Sequence, residues 1–404
     1  MLTVKRFSTI LDIEEHQWDS ILQGGKIYNT YKFIRTVEES KIENATFFYL
    51  LFYDEQRLIA SAVLSAFNIS LDLFIGNNNI VKKLKNIFPN LFTIKLLVCG
   101  LPASFGQLNL AIINDQYADE VSLLITKEMY LLSRQLTIKL LAVKELEANE
   151  KLLFRQFEKE GFFLANSIPY MSMHISWNNF DDYLSSLRHH YRRKILLSLK
   201  KLHVKKPVIV SSVIYNNRSV EPAWVLSKPD EKFAEDFYRM YMKVMERTPT
   251  KLETLNQEFF RNLFRQKDEY ELLSLVVGGK IISSAILIHK DDVLNFMLVG
   301  REHAQDEFDS YFNLVYGIIE LAIEKQCKKI KLGQTAYWVK QCVGANPHSE
   351  YIYFASRNKI MHRILKLLRN VIFPEMKLQA VNVFRDKNNE NVLIPGRNKF
   401  HVNG

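Results

Sequence analysis

Two stretches of this 404-residue chain carry the same pattern of apolar and polar positions. Residues 51–67 read LFYDEQRLIASAVLSAF and residues 274–290 read SLVVGGKIISSAILIHK. In each, an apolar run is cut by a short polar or glycine turn and resumes as a second apolar run. Runs of this length bounded by turn residues predict strands, and Gly278-Gly279 is a hairpin signal. Residues 59–64 align with residues 282–287 without a gap.

The surrounding pattern repeats as well. A helical stretch precedes each hairpin, residues 18–40 in the first half and 231–266 in the second. A strand follows each, residues 94–99 and 293–299. A helix comes next, from about residue 119 to 135 and from 310 to 326. In the latter, Tyr311, Leu314, Ile318, Leu321 and Ala322 share one face and predict an amphipathic helix. Each helix leads into a strand, residues 138–143 and 328–332. The order helix, antiparallel strands, helix, strand thus occurs twice. It predicts two α+β domains of one type, residues 1–176 and 177–404, joined around residues 176–206.

Between the halves, residues 178–202 read NNFDDYLSSLRHHYRRKILLSLKKL and predict a single helix over 180–203. Asn179 can cap it, and Asp181 and Asp182 suit its positive end. Phe180, Tyr183, Leu184, Leu187, Tyr191, Ile195, Leu199 and Leu202 form an apolar stripe. Arg188 and Arg192 stand four apart, so on a helix their guanidinium groups can converge on one phosphate. Arg188, Arg192 and Arg193 are therefore candidate substrate-binding residues. A packed helix with a solvated basic face fits the same pattern. Aromatic residues do not alternate with the charges, so nothing points specifically to nucleic acid. A second basic amphipathic stretch, RNKIMHRILKLLR at 357–369, fits a membrane-surface helix or a C-terminal helix docked on the second domain.

Composition narrows this picture. With 48% hydrophobic residues, 27 Phe and 18 Tyr, the chain can fill more than one core. A charged fraction of 24% is that of a folded protein, not a disordered one. The net charge of +10 suits an anionic partner, such as a phosphorylated co-substrate, RNA or a membrane surface. It suits a plainly basic solvated surface equally well. Cys99, Cys327 and Cys342 have neither CxxC nor metal-type spacing, which points to a reducing, cytoplasmic setting. The first residues lack the apolar core of a signal peptide, and runs such as 281–288 are too short to cross a bilayer. The expectation is a cytoplasmic chain, peripheral to a membrane at most. There is no GxGxxG, Walker A, HExxH or GxSxG sequence, and the ten histidines are scattered, so no metal is expected.

The last strand of the second repeat runs into KLGQTAYWVKQCVG, residues 331–344. Gly333 lets the backbone approach a ligand. Tyr337 and Lys340 stand three apart and share a face on a helical turn. A lysine there can neutralise a phosphate or a developing negative charge, and the tyrosine can stack or donate a proton. A surface lysine and a core aromatic are the plainer readings.

This segment, with its Gly333, Tyr337, Lys340 and Gly344, resembles the closing segment of GNAT-type acyltransferases of the FemAB-like, peptidoglycan-biosynthesis type. FDDYLSSLRHHYRRKI resembles the Arg-rich helix that opens the second domain of those proteins. WDSIL followed by YKFIRTVEES resembles the start of their first domain. Lys331 stands where that family commonly has Asp, and Val343 where it commonly has Phe. The resemblance implies two tandem GNAT-like domains, each a mixed, mostly antiparallel sheet flanked by helices. It implies N-acyl transfer from acyl-CoA, as co-substrate, to a small or lipid-linked amine by direct attack. An aminoacyl-tRNA-dependent ligase and a non-catalytic protein that binds an anion or lipid are its alternatives. No tightly bound cofactor is implied. Tyr337, Lys340 and Glu302 are the expected catalytic residues, the first two as donor-side contacts or charge stabilisers; Glu302, or Asp306 after it, can serve as a base, and a plain polar loop fits both as well. Gly333, Gln334, Thr335 and Gly344 are expected on the donor side. The first half has its own glycine loop, GLPASFG at 100–106, which can offer backbone N–H groups to the phosphates of coenzyme A or serve as a plain turn.

Overall fold

The computed structural model describes residues 2–22, 24, 26–70, 93–212, 222–247, 254–302, 306–378 and 381–385. Its strands, in chain order, are β1 (Thr3–Phe7), β2 (Thr46–Asp54), β3 (Arg57–Ser70), β4 (Thr93–Cys99), β5 (Leu110–Ile112), β6 (Leu140–Leu146), β7 (Phe163–Asn166), β8 (Tyr170–His174), β9 (Ile209–Ser211), β10 (Ala223–Ser227), β11 (Glu271–Val277), β12 (Lys280–Lys290), β13 (Val293–Arg301), β14 (Lys329–Gly333), β15 (Asn346–His348) and β16 (Tyr351–Ser356). They form two sheets of eight. One runs β1-β2-β3-β4-β6-β16-β7 with β5 also on β3, and the other runs β15-β8-β14-β13-β12-β11-β10-β9.

The repeat read from the sequence is a repeat of structure. β2–β3 and β11–β12 are the antiparallel hairpins, with Asp54 opposite Arg57 and Val277 opposite Lys280 at their turns. β4 and β13 each add antiparallel to the hairpin. β6 then joins β4 in parallel, and β14 joins β13 in parallel, each after a crossover helix, Ala118–Gln135 and Ser310–Glu324. A parallel neighbour needs such a crossover, because a tight turn cannot return the chain in the same direction. The fold is α+β, built twice.

Both faces of each sheet are covered, so the central strands are apolar throughout instead of alternating. Along β2, Tyr49 and Leu51 enter one core while Leu50 and Phe52 enter another. The core holding Tyr49 and Leu51 belongs to both halves. It joins helix Tyr31–Glu39 to helices Ala234–Arg247 and Gln257–Arg265, and reaches Leu272 and Ile286 of the second sheet. Asn256 and Asn262 stitch this layer by donating to the carbonyl and hydroxyl of Ser40, at 2.7 and 3.1 Å.

Five local expectations change on folding. The 18–40 stretch is not one helix but Glu15–Asp19 and Tyr31–Glu39 with a turn at Ile27–Asn29 between them. The 231–266 stretch forms helices Ala234–Arg247 and Gln257–Arg265, with residues 248–253 outside the described part. Residues 178–202 do not make one helix: Phe180–Ser186 ends, Leu187 and Arg188 are extended, and His189–Lys200 begins. The break is fixed by residues 383–385, since Arg188 N donates to Val383 O and Arg385 N to Ser186 O, both at 2.9 Å. Helix Ser310–Glu324 is buried nearly all round, because the sheet covers one side and helices Phe180–Ser186 and His189–Lys200 cover the other. Helix Lys359–Leu367 docks on the first sheet, with Met361 and Leu365 against Phe163 and Phe354, not on the second domain.

Sheet membership crosses the 176/177 division twice. β8 precedes it in sequence and pairs with β14 of the second sheet, while β16 returns from the second half to lie between β6 and β7.

Candidate active site

The ladder between the parallel strands β13 and β14 is short. Its register runs from Val293–Lys329 to Asn295–Lys331 and stops. Beyond that point the two strands diverge, and a cleft of about 220 Å³ opens between them. Phe296 to Val299 line one side and Leu332 to Thr335 the other. The first half supplies a wall: Ser104, Phe105, Gly106 and Gln107, from the end of the glycine loop and just after it. Phe105 is held there by the shared core, stacked on Tyr28 and Phe259 with ring centroids 5.2 and 6.2 Å apart.

Lys340 lines the cleft and is only 2% exposed. It reaches that position through a tight turn, with Gly333, Thr335 and Ala336 all at positive φ, the last capping helix Tyr337–Cys342. Two successive non-glycine residues in the left-handed region store strain, of the kind that gathers at functional sites. The Lys340 ammonium donates to the carbonyls of Gln334 at 2.6 Å and Gly333 at 3.3 Å. No carboxylate among the described residues pairs with it. Burial alone therefore pulls its pKa down to about 7.

Gln334 links this lysine to a second buried group. Its side-chain amide donates to Glu350 Oε2 at 2.8 Å and to Ile168 O at 3.2 Å. Glu350 is 1% exposed, and its Oε1 has no hydrogen-bond partner among the described residues. That oxygen lies 3.2 Å from where a Cβ on Gly106 would sit, and Gly106 has a φ of +67°, so both space and backbone call for glycine. Burial, then the charge of Glu145 at the end of β6, pushes the Glu350 carboxyl well up. It stands behind Gly106, which lines the cleft.

Lys331 faces the same cleft. It sits over the Tyr170 ring at 5.3 Å and ion-pairs with Glu147 at 3.6 Å. Tyr170 donates to Glu147 at 3.2 Å and stacks on His348, whose pKa burial lowers to about 4.

The structure thus gathers Gly333, Gln334, Thr335 and Lys340 at one cleft, together with the first-half loop. It places the other sequence candidates elsewhere. Tyr337 turns away and donates to Pro169 O at 2.9 Å. Glu302 ion-pairs with Lys243, and Asp306 accepts from Ser310 N at 2.6 Å, holding the start of the crossover helix. Gly344, at φ +99°, lies against Phe384, whose ring atom would stand 2.2 Å from a Cβ there. Arg188 caps helix His189–Lys200 and its carbonyl accepts from Arg192 N at 3.1 Å, but its side chain donates through Nε to Phe384 O at 3.0 Å. Arg192 is half-buried and Arg193 exposed, and neither lines the cleft. Sequence reasoning missed Tyr170 and Gln107, which line the cleft, and Glu350 and Glu145 behind it, because tertiary packing and not a local motif brings them there. Among the described residues no group of His, Cys, Asp and Glu is placed to hold a metal ion, and no helix is long and apolar enough to cross a membrane.

A FemAB-like family profile, described as peptidoglycan biosynthesis/recognition, matches residues 9–368. No curated protein matches the chain. Among solved structures, that of FemX is 11% identical, with a TM-score of 0.53, over 90% of this chain and 100% of the other. A tandem GNAT protein from the clavulanic acid biosynthesis pathway is 10% identical over 88% of this chain and 98% of the other, with a TM-score of 0.46. At such identities the FemX likeness speaks for the fold alone.

Proposed function

This chain belongs to the FemAB-like family, and from that premise we propose that it is a transferase that moves an activated acyl group onto an amine in the cleft between β13 and β14. The observation that carries this reading is Lys340: a buried lysine without a carboxylate partner, at the point where two parallel strands splay. With its pKa near 7, a large share of it is neutral at physiological pH, as a group that must take and return a proton requires.

The amine nitrogen attacks the donor carbonyl, and the C–N bond forms as the carbonyl π pair moves to oxygen. Neutral Lys340 takes the proton from the new ammonium centre. The oxyanion collapses, the bond to the leaving group breaks, and Lys340 returns its proton to that group. The carbonyls of Gln334 and Gly333 hold the Lys340 amine in place throughout. Glu350 accepts from the Gln334 side chain and so fixes it, and the first-half loop walls the cleft.

We assign acyl-CoA as the donor. Thermal-shift titration with acetyl-CoA and longer acyl-CoAs is expected to raise the melting temperature. Transfer to amine acceptors is expected to fall at least a hundredfold in Lys340→Met, with donor binding retained. The acid limb of the wild-type rate, rising with pH through about 7, should vanish from the residual activity. Absence of binding by every acyl-CoA would remove this donor. The exposed Arg193, Lys194 and Lys200 of helix His189–Lys200 favour aminoacyl-tRNA as the second reading. Its sign would be tRNA that copurifies with the chain and dissociates as salt rises.

A further inference from the structure

The last helices expose an apolar stripe that the transfer chemistry does not use. Asn358 caps helix Lys359–Leu367 by accepting from Ile360 N and Met361 N, and helix Arg369–Ile372 follows at once. The inner face is anchored. Met361, Leu365 and Phe373 pack on the first sheet, and His362 accepts from Ser356 N and meets the Phe163 ring edge-on. The outer face carries Ile360, Ile364, Leu367, Leu368 and Val371. Ile360, Leu367 and Val371 are 72, 83 and 74% exposed. Positions 360, 364, 367 and 371 recur at helical spacing, so they form one stripe. Of the thirteen large apolar side chains exposed among the described residues, six lie between 360 and 376.

The charges beside this stripe have one sign. Lys359, Arg363, Lys366 and Arg369 are exposed, and none ion-pairs with a described carboxylate. Between Glu350 and Glu375 the sequence contains no Asp or Glu. A groove on a protein partner of mixed charge would not call for this one-sided flank. A layer of anionic headgroups over an apolar interior would. The helices are too short to cross a bilayer and are held flat on the sheet, so the stripe can enter only the interface.

We propose that residues 359–372 are a membrane-docking surface that seats this protein on an anionic bilayer. Ile360, Ile364, Leu367 and Val371 enter the headgroup boundary, and Lys359, Arg363, Lys366 and Arg369 engage lipid phosphates. This surface stands independently of the donor assigned above.

The test is co-sedimentation of the full chain with vesicles. Equimolar phosphatidylcholine and phosphatidylglycerol is compared with pure phosphatidylcholine, at low and high salt. The wild type is expected to bind the anionic vesicles and to bind less as salt rises. Leu367→Glu/Val371→Glu should weaken that binding at least about tenfold, and Lys366→Gln/Arg369→Gln should weaken it on anionic vesicles only. Unchanged circular dichroism is expected, because all four side chains are exposed. The proposal is overturned if the wild type ignores anionic vesicles, or if the glutamate variant binds them as well as the wild type does. It is also overturned if the chain is a dimer without lipid and that variant is a monomer, since a second copy would then cover the stripe.

Discussion

Lys340 and Glu350 sit on either side of Gln334 and are perturbed in ways that give opposite pH signatures. Burial lowers Lys340 from 10.5 to about 7. Between those values the unfolded chain binds more protons than the folded one, so stability rises with pH across that window and is lowest below about 7. The full effect is on the order of 5 kcal/mol at most. Lys340→Met should flatten this rise, read as melting temperature against pH. Glu350 is raised above 4.5, so the folded chain holds the extra proton. Its contribution is present below 4.5 and is lost as pH climbs through the raised value. Glu350→Gln should remove that loss, and the melting temperature should fall less between acid and neutral pH than in the wild type. Gly333, Gln334, Thr335 and Lys340 could be read together because they are contiguous and the strand end delivers them as a unit. Glu350 could not, since nothing in its neighbours signals that Gly106, far away in sequence, leaves room for it. Tyr337 and Glu302 had the right chemistry on paper, but their partners, Pro169 O and Lys243, are set by tertiary contacts.

Among the elements, helix Ser310–Glu324 shows how closely packing is tuned. Trp224 of β10 lies across it and donates from its indole nitrogen to Asn313 O at 2.7 Å. A Cβ at Gly317 would stand 2.1 Å from Trp224 Cδ1, so the helix approaches this close only because residue 317 has none. Gly317→Ala is expected to destabilise the chain by about 1–3 kcal/mol despite alanine's better helix propensity, as measured by denaturant unfolding. The sequence predicted this helix and its place before a strand. It did not predict burial on nearly every side, because the amphipathic reading assumes a free outer face. Helices Phe180–Ser186 and His189–Lys200 take that face. Their own break at Leu187–Arg188 comes from residues 383–385, some two hundred positions later in the chain.

At the scale of the molecule, the two repeats share a core and exchange strands. Phe33 and Val37 pack with Phe259 and Phe260, β8 belongs to the second sheet and β16 to the first. Neither sheet can lose its partner without exposing apolar surface and unpairing a strand. Unfolding is therefore expected to be one cooperative transition, despite the duplicated architecture. Calorimetric and van 't Hoff enthalpies should agree, and the fluorescence of Trp18 and Trp224, one in each repeat, should change together. Two separated transitions would show that the shared core is not decisive.

The duplication, the α+β class, the strand and helix order and the Gly333-to-Lys340 segment follow from the sequence alone. They rest on local periodicity, turn chemistry and residue type, which neighbours in the chain express. The identity of the cleft was decided only by tertiary structure. It depends on where the β13–β14 ladder stops, on a loop brought over from the other repeat, and on which buried groups are left without partners. Burial is a property of everything packed around a residue, and it pulls the pKa of an ordinary lysine down to about 7. No stretch of sequence holds that information by itself.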